Sequence, residues 1–362
     1  MKIFHLISNK AWGGCEQTIL DLSRRQLADG IKIELFCLNS EPVRSRFQEL
    51  NVPSHTLSLR GVLDWRSAWL MAKVIKRESD CAIHAHNFKE AFTAAYARMI
   101  AGRKDIRLVM CRNLTRKGKT SMIYRWLYSQ LDCIVFDSQL AMDTFLSTSP
   151  AIDKSKLRVI FNAVVVPENI AVQDVRSEFN ISENEVLAMY HGRLDPEKGL
   201  DVLVEAVALL REKPLRVVLL GRGSDEYTAH LKQLIAEKHV ENKVDLAGFR
   251  NPVLSYVAAC DIGLLPSIVR EGCSLAAQEH MSQGHPIIAT NNGGQREYIE
   301  HGKNGLLVPP VDAKALADAI EKLIDDAPLR LQMGRQAKAD FDDHLTYEHF
   351  YSRIQQIYDH PL

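Results

Sequence analysis

Three times the chain runs a short apolar block into glycine and out again into a new element, and this unit restricts the fold more than any other feature. Ile3 to Ile7 leads to Trp12-Gly13-Gly14-Cys15-Glu16, which opens a helix to about Ala28; Gly30 ends it and Ile31 to Leu38 returns as a strand. Val186 to Tyr190 leads to Gly192, after which Leu200, Leu203, Val204, Val207 and Leu210 recur at helical intervals. Val217 to Leu220 ends in Gly221-Arg222-Gly223, and Cys133 to Asp137 and Arg158 to Phe161 read as further strands. Strand, tight turn and helix in succession build parallel sheets covered by helices. The predicted class is α/β. A chain of 362 residues exceeds what one core serves, and 46% hydrophobic content fills two.

In such sheets ligands bind beyond the carboxyl ends of the strands, so the loops after them are where chemistry is expected. Arg193 and Lys198 lie on one crossover. A planar guanidinium fork and a compact ammonium would together neutralise a diphosphate; the plainer reading is two solvated loop cations. Glu271-Gly272-Cys273-Ser274-Leu275 then places two carboxylates, Glu271 and Glu279, eight residues apart. Ser274 is a good N-cap and Gly284 before His285-Pro286 a good stop, predicting a helix from about Leu275 to Gln283. Glu271 then sits at the helix mouth beside the amides of Gly272, Cys273 and Ser274, with Glu279 facing inward one turn deeper. Such a site suits a ligand with hydroxyls and phosphates; two surface glutamates are the alternative.

From Tyr190 to Pro310 these residues, in order, resemble the retaining nucleotide-sugar glycosyltransferases of family 4, which have the GT-B fold. The resemblance runs through Gly192-Arg193-Leu194 with Pro196-Glu197-Lys198-Gly199, Leu219-Leu220-Gly221-Arg222-Gly223 and Val244 to Phe249. It continues through Ala259-Cys260-Asp261, Leu265-Pro266-Ser267, Glu271 to Glu279, Asn292-Gly293-Gly294 with Glu297, and Gly302 to Pro309. It implies two Rossmann-like parallel-sheet domains facing across a cleft, with the last helix packing back on the first domain. It also implies that Arg193 and Lys198 hold the donor diphosphate and Glu279 the ribose hydroxyls. Glu271 and the amides from Gly272 to Leu275 would meet donor sugar and phosphate, with Gly221, Arg222 and Phe249 completing the donor pocket. The chain departs from the family pattern at Cys273-Ser274 and at His280, which leaves the donor sugar open.

In the N-terminal half, Gly13 and Gly14 resemble the family's glycine loop near the donor phosphates, although any Rossmann-type turn has this form. Ala82-Ile83-His84-Ala85-His86-Asn87 resembles its strand bearing His-x-His, with both histidines on one face by alternation. That likeness makes His86 a contact for donor sugar or acceptor and His84 its support. The expected boundaries are 1–165 for an acceptor-binding domain, 166–345 for the nucleotide-sugar domain and 346–362 for a helix returning to the first. Asn162-Ala163 marks the junction, and residues 163–184 read as linker.

Charge divides unevenly: residues 1–165 carry 25 Lys/Arg against 15 Asp/Glu, and the rest 20 against 30. Between Arg98 and Arg125 stand nine basic residues and one acid, Asp105, with Tyr124, Trp126 and Tyr128 close by. Such a stretch suits an anionic membrane surface, or an acceptor carried on a lipid or phosphorylated glycan met by Arg112 and Arg116; a solvated face is the alternative. No nucleic-acid signature accompanies the charge. Seven scattered cysteines without a Cys-x-x-Cys pair point to reduced thiols in a cytoplasm, and no Asp-x-Asp turn suggests a metal, so neither metal nor cofactor is expected. No apolar run is long enough to span a bilayer, which places the chain in the cytoplasm or peripherally on the inner face of the plasma membrane.

The expected reaction moves a sugar from a nucleoside diphosphate, UDP by family habit, to a hydroxyl of a glycan or lipid-linked acceptor in cell-surface polysaccharide or lipopolysaccharide assembly. Retention would follow from same-face attack, with Arg193 and Lys198 stabilising the departing diphosphate. A nucleotide-sugar 2-epimerase and a non-catalytic nucleotide-sugar-binding subunit are the alternatives. A dinucleotide-dependent dehydrogenase fits poorly, since no Gly-x-Gly-x-x-Gly follows the first strand.

Overall fold

The computed structural model describes residues 1–41, 43–59 and 61–359. It divides into two compact units, residues 1–162 with the tail from Glu348, and residues 163–347. The last three residues of the expected tail segment lie outside the described part.

In the first unit β1 (Lys2–Ile7), β2 (Lys32–Leu38), β3 (Ser54–Leu57), β4 (Cys81–Ala85), β5 (Arg107–Arg112), β6 (Cys133–Phe136) and β7 (Leu157–Val159) form a parallel sheet. Its spatial order is β3-β2-β1-β4-β5-β6-β7. Ile3 lies opposite Ile33 on one side and Ala82 on the other. All of β4 is buried, as expected of parallel strands covered on both faces. Phe4, Ile83, Leu108 and Phe136 pack with Phe92, Leu127 and Phe145 from the helices. The chain builds outward from β1 to β3, then returns to β1's other side with β4. The loops after β1 and β4 therefore diverge, leaving a crevice where the glycine loop and His86 begin.

The second unit repeats the plan. Here β8 (Val186–His191), β9 (Leu215–Leu220), β10 (Val244–Gly248), β11 (Ile262–Leu265), β12 (Ile287–Thr290) and β13 (Gly305–Val308) take the order β10-β9-β8-β11-β12-β13. Its switch point lies between β8 and β11, where Gly263 pairs with Met189. A Cβ on Gly263 would stand 2.5 Å from the His280 ring, so glycine lets the Leu275–Ser282 helix settle closely on the sheet.

The Tyr347–Asp359 helix buries Phe350, Ile354 and Ile357, and joins the first unit by polar contacts as well. Tyr351 donates its hydroxyl to Asp29 at 2.6 Å, Arg25 pairs with Glu348, and Arg107 donates to the Ile357 carbonyl.

Two expectations change on folding. The basic stretch from Arg98 to Arg125 is not one face. Arg98 is buried, donating to the Ile106 carbonyl and to Asp132; Arg103 pairs with Asp105; and Arg107 and Arg112 bound β5. Tyr124 and Tyr128 are core residues, so of the three aromatics only Trp126 stays partly exposed. The exposed bases are Lys104, Arg116, Lys117, Lys119 and Arg125. Residues 163–184 do not behave as a free linker either: the Val175–Glu178 helix sits among them, and Val175 and Ile181 are buried against Leu187 and Val218.

Candidate active site

At the second unit's switch point Arg193, Lys198 and Glu271 stand on neighbouring loops, and Glu279 on the helix that follows Glu271. After β8 the backbone passes through Gly192, whose carbonyl would lie 1.7 Å from a Cβ on Gly221. Only glycine at 221 lets the loops after β8 and β9 run side by side, and Leu194 N–H then donates to the Arg222 carbonyl at 2.9 Å. The Tyr190 hydroxyl donates to the Arg193 carbonyl at 2.6 Å, fixing that turn. Asp195 caps the 3₁₀ turn Pro196–Lys198, which stands where the sequence suggested plain loop, and left-handed Gly199 hands over to the Leu200–Ala208 helix.

That turn delivers Lys198 to Glu271: its ammonium donates to Glu271 Oε1 at 2.7 Å, and each side chain is about one-fifth exposed. Ser267 also donates its hydroxyl to Oε1. The loop carrying Glu271 is pinned along its length. Ile268 N–H donates to the Glu197 carbonyl at 2.9 Å, Thr290 Oγ1 to the Ser267 carbonyl at 2.7 Å, and Gly294 N–H to the Glu271 carbonyl at 2.7 Å. Arg193, by contrast, extends outward with 66% of its side chain exposed and a long 3.4 Å contact to Asp195. Glu279 faces inward and pairs with His191 Nε2 at the end of β8. Phe249 is half exposed beneath the Arg222 guanidinium, 5.0 Å from its ring centre.

The helix begins at Leu275 with Ser274 as its cap, as the sequence predicts, and ends at Ser282. The amides at its mouth are not all free. Ser274 N–H donates to the Tyr298 hydroxyl at 3.1 Å, so that amide is occupied before any ligand arrives. Nothing in the spacing singled out Tyr298, nor Ser267 and His191, because their roles depend on partners far away in sequence.

In the first unit, Gly13 caps the Gly14–Ala28 helix through its backbone alone. Glu16 in its first turn accepts from Asn9. His86 follows β4 and is buried beside His84, with ring centres 4.3 Å apart, as alternation required. His86 Nε2 lies 3.2 Å from His5 Nδ1, and His5 Nε2 lies 2.9 Å from Gln26 Oε1. His84 Nε2 lies 2.9 Å from Cys111 Sγ, and its Nδ1 meets the Tyr358 hydroxyl. Burial holds all three imidazoles neutral: His5 falls to about 4, and His84 and His86 drop well below the usual range, each also disfavoured by its histidine neighbours. Glu90, missed by sequence reading, organises this turn by accepting from the amides of Ser8 and His86 and from Asn87 Nδ2. Its burial lifts it to about 7. Arg112 is buried at the end of β5, while Arg116 is exposed.

Two family models match the chain in succession. Glycosyltransferase Family 4 covers residues 12–166, and Glycosyl transferases group 1 covers residues 172–340. The N-acetyl-alpha-D-glucosaminyl L-malate synthase of Bacillus anthracis is 26% identical over 89% of this chain and 86% of its own length. The D-inositol 3-phosphate glycosyltransferase of Pseudarthrobacter chlorophenolicus is 37% identical, over 41% of this chain and only 37% of that protein. Glycosyltransferases of lipopolysaccharide core and amylovoran biosynthesis are also similar, over about half of the chain. Among solved structures, Anabaena HepE in complex with UDP superimposes with a TM-score of 0.84 at 23% identity, covering 98% of this chain and 99% of that one. The two parallel sheets, their switch-point loops and these matches agree, and the chain belongs to the family 4 glycosyltransferases of the GT-B fold.

Proposed function

We propose that the enzyme transfers a sugar from a UDP-sugar to a hydroxyl of a glycan or lipid-linked acceptor, with retention at the anomeric carbon and without a metal. The observation that carries this reading is the Lys198–Glu271 pair, held on pinned loops at the carboxyl ends of β8 and β11. Negative charge grows on the β-phosphate as the sugar–oxygen bond breaks. Lys198 and the outstretched Arg193 stabilise that charge in place of a cation cofactor. Glu271, one oxygen already held by Lys198 and Ser267, is suited to accept from sugar hydroxyls rather than to attack carbon. The proton of the acceptor hydroxyl passes to the leaving phosphate on the same face. Glu279, oriented by His191, receives the ribose hydroxyls; Gly221 lets ligand approach the backbone; Phe249 and Arg222 offer a platform for the base. His86, neutral and buried, contacts the sugar or the acceptor. The glycine loop Gly13-Gly14 meets the donor phosphates.

The test is stereochemical. With an α-linked UDP-sugar and chelator present, NMR should show an α-linked product. A β-linked product, or loss of turnover on chelation, overturns the reading. Product formed without any acceptor would favour the epimerase instead.

A membrane-borne acceptor is supported by one surface of the first unit. Trp65 lies 4.3 Å from Tyr96 between ring centres, and Tyr96 stacks on Trp126. On the same and adjoining helices Trp69, Met99, Ile100 and Met122 are exposed, with basic Arg66, Lys73, Lys104 and Arg125 nearby in sequence. Exposed apolar side chains with bases close to them in sequence fit the headgroup region of an anionic leaflet. No helix among the described residues is long and apolar enough to cross a membrane. Assembly of surface polysaccharide or lipopolysaccharide at the inner face of the plasma membrane is the setting this suggests.

A further inference from the structure

Wholly within the first unit, beside the His86 turn, lies a cavity of about 440 Å³. Five cations line it, Lys89, Arg112, Arg116, Lys117 and Lys119, and no carboxylate does. Among the described residues, none of the five forms an ion pair. Three acids lie in the surrounding loops and none ion-pairs with the five: Glu16 takes Asn9, Glu90 takes Ser8, Asn87 and the His86 amide, and buried Asp137 acts on Arg112 through its charge.

Arg112 makes this more than a cluster of surface bases. It is 8% exposed, its Nη2 donates to the carbonyls of Arg116 and Lys117, and its guanidinium lies 4.7 Å from the Phe88 ring centre. Among the described residues its buried Nε has no hydrogen-bond partner. A buried cation without a direct ion pair is costly, and the charge of Asp137 offsets only part of that cost for Arg112, which is held in place on the wall of an open cavity. Lys119 is also placed, its ammonium 3.0 Å from the Tyr124 hydroxyl. Val62, Phe88 and Leu114 supply apolar wall on which a sugar ring can lie.

We propose that this cavity seats a phosphate group carried by the acceptor, so that the acceptor is a phosphorylated sugar or polyol, soluble or lipid-linked. The inference rests on the sugar-transfer reading above and specifies its acceptor. Five cations exceed what one carboxylate needs, whereas a phosphate or diphosphate offers several acceptor oxygens to a guanidinium fork and to ammonium groups.

The experiment separates the two readings. With the donor site saturated by UDP, inorganic phosphate is titrated by calorimetry into wild type, the Arg116→Gln/Lys117→Gln/Lys119→Gln triple variant and Arg112→Lys. Phosphate should bind wild type, and bind the triple variant at least tenfold more weakly, while UDP affinity stays the same in both. Arg112→Lys keeps the charge but loses the fork and should weaken phosphate severalfold. UDP binding with no phosphate binding sinks the phosphate seat but not the UDP-sugar reading; no UDP binding sinks that donor reading itself. UDP release from the UDP-sugar is then compared with a soluble sugar phosphate, the same sugar without phosphate, a sugar carboxylate, and vesicles bearing a polyprenyl phosphate sugar. Stimulation by either phosphorylated compound above the neutral sugar supports the proposal, and which one acts identifies the source. Equal stimulation by the carboxylate or the neutral sugar overturns it.

Discussion

The two switch points are built to the same topology and charged to opposite effect. In the second unit the central groups are already partnered by acids: Lys198 is paired with Glu271, and His191 is hydrogen-bonded to Glu279. In the first unit the histidine rings contact one another, and among the described residues the cavity cations form no ion pair with a carboxylate. A paired site is already organised before ligand arrives, and its geometry is what a diphosphate must match. An unpaired site leaves unmet demand for negative charge, which only a ligand can satisfy. The contrast assigns orientation to one half and attraction to the other.

The largest expected effect breaks the paired half. Lys198→Ala should lower turnover about 100- to 1,000-fold, as loss of one preorganised donor to a developing anion does elsewhere. Glu271→Ala should lower it by at least about tenfold, roughly 1.4 kcal/mol of barrier. Because each residue positions the other, the double variant should lose clearly less than the product of the single losses, measured in a double-mutant cycle on kcat/KM. Losses that simply multiply would mean that the pair is incidental and that this half is no more organised than the other.

A second prediction tests how the histidine-rich half tolerates acid. An unfolded imidazole protonates near pH 6.5, but His5 in the folded state does so only near 4. Unfolded chains therefore bind the proton first, so stability is complete above about pH 6.5 and is lost as pH falls toward 4. For His5 alone this amounts to about 3 kcal/mol over that window. The second unit carries His285, also at about 4, and His280, well below the usual range, so it too weakens in acid. All four tryptophans, Trp12, Trp65, Trp69 and Trp126, lie in the first unit, so their fluorescence reports on it alone. Urea midpoints by fluorescence should fall between pH 7 and 5 in wild type and fall less in His5→Gln. Equal slopes in the two proteins would show that the cluster titrates some other way.

How far the sequence foretold this depended on the range of the interactions. Glycine turns, the Ser274 cap and the helix after it are local, and periodicity with turn chemistry located them to within a residue or so. The placement of Glu271 at the helix mouth and of Glu279 one turn deeper followed from that helix. The pairing of Lys198 with Glu271 spans 73 residues and could not be seen, because it needs β8 and β11 to be neighbours. The basic stretch misled for the same reason. Arg98 and Arg107 read as surface because their partners, Asp132 and the Ile357 carbonyl, lie far along the chain. Residues 163–184 looked like linker because their buried side chains, Ala163, Val164, Val175 and Ile181, are too few and too unevenly spaced to set a period.

The smallest expected effects compare one helix cap from each unit. Asn87 starts the Phe88–Ala101 helix; its Oδ1 accepts from Glu90 N–H at 3.2 Å, while its Nδ2 donates to Ser8 and to the Glu90 carboxylate. Ser274 accepts from Ala277 N–H across a long 3.4 Å, and Tyr298 already serves its own amide. Asn87→Ala should therefore cost toward 2 kcal/mol, the upper end of the usual range for caps, and Ser274→Ala about 0.5 kcal/mol. In thermal melts of a protein this size the difference is a few degrees. If Ser274→Ala proves as damaging as Asn87→Ala, the cap at the mouth of the paired site holds more than its bond length implies, and the donor-side helix depends on that serine rather than on Tyr298 and the pinned Glu271 loop.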